Sequence, residues 1–130
     1  MRVSSPAFKS GARIPTRFTC DGAEVSPPLR WSGVPAKATS LALIVDDPDA
    51  PGGTFVHWVV TGLSPSSTGI AEGDAPAGQA APWKGPCPPS GTHHYDFSVY
   101  ALEREVAATP AAIREAAFAS GGFNATYTRR

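Results

Sequence analysis

The chain has 130 residues, with 11 Lys and Arg balanced by 11 Asp and Glu; this length suits one domain that buries roughly two-thirds of its unfolded surface without metals or disulfides. No basic cluster extends beyond Arg129-Arg130, no apolar run is long enough for a membrane span, and Met1 to Pro15 lacks the apolar centre of a secretory signal. Nucleic acid and anionic membranes are therefore excluded as partners, and a soluble, cytoplasmic protein is expected. Strand-like Thr16 to Thr19 and Leu29 to Trp31 come first, divided by turn residues, and Val34 to Thr39 leads on from them. Leu41 to Val45 reads as a buried strand and Phe55 to Val60 as a second, joined by Asp47 to Thr54 as the long loop of a hairpin. Thr61 to Pro82 is small, polar and punctuated, and reads as a long loop of a length that is often functional or mobile. Thr92 to Leu102 alternates, placing His93, Tyr95, Phe97 and Val99 inward and His94, Asp96, Ser98 and Tyr100 outward. One short helix follows, with Thr109 as its cap, Pro110 at its first position, "AAIREAAFA" as its body and Gly121-Gly122 as its stop. Phe123, Ala125 and Tyr127 then alternate with polar residues, so the chain closes on a strand. The many turns implied by 13 Gly and 14 Pro agree with a mainly β fold. Cys20 and Cys87 fit no CxxC pattern, and two unpaired thiols in turns are expected.

The stretch "LIVDDPDAPGGTFVHW" carries the chemistry. Asp47 shares its side with Leu41, Leu43 and Val45, and His57 shares its side with Phe55 and Val59, so a carboxylate and an imidazole belong at the rim of the apolar interior. His93 and Tyr95 stand on the inward face of their own strand. Polar groups from three strands thus converge at one end of the sheet, where protonated imidazoles, a tyrosine hydroxyl and loop N–H groups suit a small anion while Asp47 orients a histidine. In "KGPCPPSGTHHY", Gly85 allows close approach and the prolines leave few donors, so the N–H groups of Gly85 and Cys87 are candidates for a ligand cradle. The competing reading makes "DPDAP" a turn only and His57 a structural histidine.

The pattern resembles the phosphatidylethanolamine-binding protein family, in its bacterial branch, related to the Raf kinase inhibitor proteins. The likeness rests on "TCDGAEVSPPLRWSGVP", "SLALIVDDPDAPGGTFVHWVV", "KGPCPPSGTHHYDFSVYAL" and the closing "ATYTR", in that order along almost the whole chain. It implies a large antiparallel sheet packed on a smaller one, with a shallow anion pocket at one end. The family's pocket positions carry over onto Asp47, Asp49, His57, Gly85, Cys87, His93 and Tyr95. Three features depart from the pattern: His94 stands where members often carry arginine, the Thr61 to Pro82 segment lacks the usual Gly-Asn stretch, and the C-terminal helix is short.

The expected function is non-enzymatic binding of a small phosphorylated or anionic ligand, acting on a protein partner such as a kinase or protease, with no cofactor and no metal. A homodimer is compatible with the sequence. One rival reading is a small hydrolase with His57 or His93 as general base oriented by Asp47; it lacks a G-x-S-x-G elbow. Another is a metal site built from His57, His93 and Asp47.

Overall fold

The computed structural model describes every residue except Ala75, Ala77 and Arg130. Its elements follow in the order β1 (Arg2–Ser4), β2 (Leu29–Ser32), β3 (Ser40–Asp47), β4 (Phe55–Leu63), β5 (Gly69–Ile70), β6 (Gln79–Ala81), β7 (Thr92–Leu102), α1 (Pro110–Ala116) and β8 (Ala119–Thr128), with a 3-10 turn at Thr16–Phe18. A five-stranded sheet runs β6-β4-β3-β7-β8 and a three-stranded sheet runs β1-β2-β5. Every strand pairing is antiparallel. The architecture is the expected one, mainly β in two packed sheets with one short helix.

The inward faces of the sheets make the core, with Leu43, Val45 and Phe97 of the large sheet packed in one cluster with Leu29 and Trp31 of the small one. The opposite face of the large sheet is also covered: Ala42, Ile44 and Val59 pack beneath Ile113 of α1. β3 is therefore buried on both sides, which is why "LALIV" reads as a continuous apolar run instead of an alternation. Thr109 caps α1 by accepting from Ala112 N–H at 3.2 Å, and Pro110 opens it, as its sequence suggests.

Several expectations need correction. Thr16 to Thr19 forms the 3-10 turn, not a strand. The helix stops at Ala116, before Gly121-Gly122, because the ladder to β7 begins at the Ala101–Ala119 pair. Those glycines lie within β8, where a Cβ on Gly121 would stand 2.4 Å from the Met1 carbonyl oxygen and one on Gly122 2.6 Å from that of Phe97. Close backbone approach, not helix termination, explains them. Thr61 to Pro82 is only partly loop: it holds the end of β4 together with β5 and β6. The last two are too short to show a period, and Ala75 and Ala77 lie outside the described residues. Cys20 and Cys87 are joined as a disulfide with their Cα atoms 5.5 Å apart. Their 67-residue separation hid this, because the approach depends on Cys20 N–H donating to the Pro86 carbonyl across two loops.

On the helix side of the large sheet, Asp46 and Asp96 face each other across β3 and β7. Asp46 is paired with Arg114 at 2.7 Å. Burial, and next the Asp46 charge, push the Asp96 carboxyl above its ordinary range. The native state then binds a proton more readily than the unfolded chain, so the destabilisation is fully present above the raised value and disappears as pH falls through it towards 3.8. Asp96→Asn is expected to stabilise the protein at neutral pH by up to about 1 kcal/mol, the scale of a like-charge cross-strand pair. Denaturant titrations at neutral and acidic pH check this; an equal gain at both would rule out the electrostatic origin.

Candidate functional site

The end of β3 sets the first group. Asp47 is the last residue of that strand, and its Oδ2 accepts from His93 Nδ1 at 2.6 Å, with both side chains under one-tenth exposed. Its Oδ1 accepts the Asp49 N–H at 2.7 Å, which folds the following loop back on itself. Asp49 then points the other way. Its Oδ2 accepts the His94 N–H at 2.8 Å and lies 2.8 Å from His94 Nδ1. The His94 hydrogen bonds hold the Asp49 carboxyl below its ordinary range. Adjacent histidines on opposite faces of β7 thus each have their own aspartate, and the loop from β3 is fastened to both.

His57 reaches the same place by a different device. Val45 pairs with Trp58 and Asp46 with Val56, so His57 is the extra residue of a β-bulge in β4. The bulge corrects the simple alternation: Val59 turns to the helix side, while Trp58 joins the core between the sheets. His57 faces inward beside Tyr95, their ring centroids 5.2 Å apart, with Phe55 4.7 Å away on its other side. Its Nδ1 donates to the Lys84 carbonyl at 2.6 Å, and the Lys84 N–H donates to the His57 carbonyl at 2.9 Å. Burial pushes the His57 imidazole below its ordinary pKa, against smaller opposing effects of the Lys84 carbonyl and Asp47. His57 is therefore a neutral ring near pH 7, where the sequence had suggested an imidazolium.

Asp47, His57, Gly85, Cys87, His93 and Tyr95 line one cavity of about 410 Å³; Asp49 does not. Phe55, Lys84, Pro51 and Pro89 belong, with Cys87, to the more exposed part of the lining. Lys84 Nζ sits 5.3 Å from the Phe55 ring centroid. Sequence reasoning missed both residues, although Phe55 alternates with His57 and Lys84 directly precedes Gly85. The Tyr95 hydroxyl is buried without a hydrogen-bond partner among the described residues. Burial, and next the Asp47 charge, push its phenol well above the ordinary value, so it remains a donor. Gly85 N–H is not free for a ligand, because it donates to Glu24 Oε2 at 2.9 Å. The Cys87 sulfur is committed to its bridge. Among the described residues no group of three His, Cys, Asp or Glu side chains is arranged to hold a metal. Wider depressions of about 590 and 560 Å³ lie on the outer faces of the small and large sheets, away from this convergence of histidines and tyrosine.

Comparison with known proteins agrees with this arrangement of strands. The chain is 44% identical over 128 residues to a UPF0098 protein of the archaeon Methanothermobacter thermautotrophicus, covering 88% of this chain and 85% of the relative. It is 52% identical over 112 residues to a Mycobacterium tuberculosis protein named as a lipoprotein, LppC. That match covers 78% of this chain but only 55% of the relative, so the chain spans about half of that protein's length. Among solved structures, CT736 of Chlamydia trachomatis, described as a homologue of phosphatidylethanolamine-binding protein, superposes with a TM-score of 0.91 at 35% identity, covering 99% of this chain and 97% of the other. YbcL of E. coli, described as a new member of the mammalian family, gives 0.88 at 29% identity, covering 99% and 98%. The family model for phosphatidylethanolamine-binding protein matches residues 4–128. The chain belongs to the phosphatidylethanolamine-binding protein family.

Proposed function

We propose that this protein is a non-enzymatic binder of a small phosphorylated or otherwise anionic group, held in the cavity between Asp47, His57, His93 and Tyr95. The observation that carries this reading is the Tyr95 hydroxyl, buried in the cavity wall with no acceptor among the described residues. An unmet buried hydroxyl costs about 1–3 kcal/mol, which an incoming oxyanion recovers. His57 and His93 each commit Nδ1 to a protein acceptor, which leaves Nε2 of each ring for a ligand. Lys84 adds a cation at the exposed side. Hydrolysis is less well supported, since among the described residues no serine or threonine lines the cavity and the one lining cysteine is bridged. Action on a protein partner is the second half of the proposal, with Phe55, a large apolar side chain 41% exposed beside the cavity, as the contact point.

Location is also part of the proposal. No helix among the described residues is long and apolar enough to cross a membrane. Disulfides persist in oxidising compartments and are rare in the cytosol, so we place the bridged protein outside the reducing cytosol, in place of the cytoplasmic expectation.

Titration with phosphate, followed by NMR, is expected to shift His57, His93 and Tyr95 first, with an affinity of roughly millimolar to tens of micromolar. Sulfate, whose charge is constant from pH 5 to 8, gives the pH dependence. An anion favours the charged imidazole, so its affinity should rise as pH falls towards the depressed pKa of His57. Shifts spread evenly over the surface, or sulfate affinity that rises with pH, would defeat the reading.

A further inference from the structure

We propose that Glu24 is a positioning residue for His57, acting through a single peptide unit. The Lys84 carbonyl and the Gly85 N–H belong to the same peptide group. His57 Nδ1–H donates to that carbonyl at 2.6 Å, and that N–H donates to Glu24 Oε2 at 2.9 Å. A carboxylate, a peptide and an imidazole therefore stand in series. A negative charge on the N–H side polarises the peptide and makes its carbonyl a stronger acceptor, as in other hydrogen-bond chains. The proton of His57 is thereby held on Nδ1, and Nε2 is left bare for the cavity. His93 has the same arrangement without the relay, its Nδ1 bonded directly to Asp47. Each cavity histidine is thus backed by a carboxylate, one in contact and one a peptide away.

Three local features support a dedicated role for Glu24. It is the one non-glycine residue among those described with a left-handed backbone, at φ 60°. Such a conformation is unfavourable for a residue with a Cβ and persists where its surroundings enforce it. Its side chain is exposed and has no ion-pair partner among the described residues, so neither packing nor a salt bridge explains the backbone. Gly85 is also required: a Cβ there would stand 2.6 Å from the Phe18 carbonyl oxygen and 2.8 Å from Glu24 Cγ. Only a glycine lets the peptide slide between the 3-10 turn and the glutamate. The bond from Cys20 N–H to the Pro86 carbonyl and the Cys20–Cys87 bridge hold the two segments in register.

The test reads the histidine ring itself in the ligand-free protein, so it stands or falls apart from anion binding; only the consequence for affinity rests on the proposed cavity function. The charged and titratable groups near His57 are Asp46 and Asp47 of β3, Lys84 of the facing wall, and His93 and Tyr95 of β7, and all remain in the variants. Ring nitrogen shifts are measured in wild type, Glu24→Gln, which keeps an acceptor but no charge, and Glu24→Gly, which suits φ 60° and guards against a folding failure. The expected result is a graded movement of His57 from the Nδ1–H form towards a mixture of tautomers, small in Gln and larger in Gly, with His93 unmoved. Sulfate only accepts and cannot bond to a bare Nε2, so the tautomer that carries its proton there should raise sulfate affinity roughly two- to fivefold in the glycine variant, the scale of one hydrogen bond. Unchanged His57 nitrogen shifts in both folded variants, or His57 and His93 moving together, would overturn the proposal.

Discussion

Asp47→Ala is expected to lower the unfolding free energy by about 1–3 kcal/mol, the effect of removing the acceptor of a buried hydrogen bond and leaving the His93 Nδ1 group unmet. The magnitude follows from burial, since the Asp47 and His93 side chains are 4% and 9% exposed and meet at 2.6 Å. The Asp49 N–H would lose its acceptor as well, freeing the start of the loop that also fastens to His94. Asp47→Asn should be milder, because one amide oxygen still accepts. Adding His93→Ala to Asp47→Ala should restore part of the loss, since the stranded imidazole is then gone, and a double-mutant cycle in denaturant measures that coupling. If Asp47→Ala loses less than about 1 kcal/mol, the scale of an ordinary helix or turn cap, the residue shapes a turn and the buried pair is energetically idle.

Reducing the Cys20–Cys87 bridge is the second large effect. Closing a loop over a 67-residue separation restricts the unfolded chain by about 4 kcal/mol in the chain-entropy model, and typical measured values are about 2–4. Urea unfolding with and without a dithiol, and of Cys20→Ser with Cys87→Ser, should show that loss as a lower midpoint. The native fold should survive it, because the core between the sheets does not include the bridge. The cavity wall at Gly85 to Cys87 belongs to no strand and is fixed by the same pair of loops, so anion affinity should weaken in parallel. Identical midpoints under reducing and oxidising conditions, with free thiols confirmed by mass, would refute the stabilising role.

What could be read from the sequence was whatever repeats with a period. Thr92 to Leu102 matches β7 residue for residue because its inward and outward faces differ at every step. His93 and Tyr95 were placed correctly for the same reason. His57 reached the cavity through a bulge, and a bulge is a departure from the period, so alternation linked it to Val59, which lies on the other face. The family resemblance carried Asp49 over as a cavity residue; its carboxylate instead meets His94 outside. The bridge between Cys20 and Cys87 and the bond from Gly85 to Glu24 join segments that are remote in the chain and belong to no sheet. No local propensity records such meetings. Glu24 carried no signal of its own, since a glutamate in "DGAEVS" is an ordinary loop residue until its partner is known.

β3 is hydrogen-bonded along both edges and buried on both faces, which gives the cavity two unequal halves. Amides in such a central strand exchange with solvent only by near-global unfolding, whereas segments outside the sheets exchange through cheap local openings. Asp47 ends that central strand, while Lys84 to Pro89 belongs to no strand and is held by hydrogen bonds to His57, Glu24 and Cys20 and by the bridge. Thermal fluctuation should therefore admit or release an occupant by moving the proline-rich side against a fixed carboxylate, like a jaw against an anvil. Size discrimination then belongs to the moving side, and hydrogen exchange at Gly85 and Cys87 is where the breathing of the cavity becomes visible.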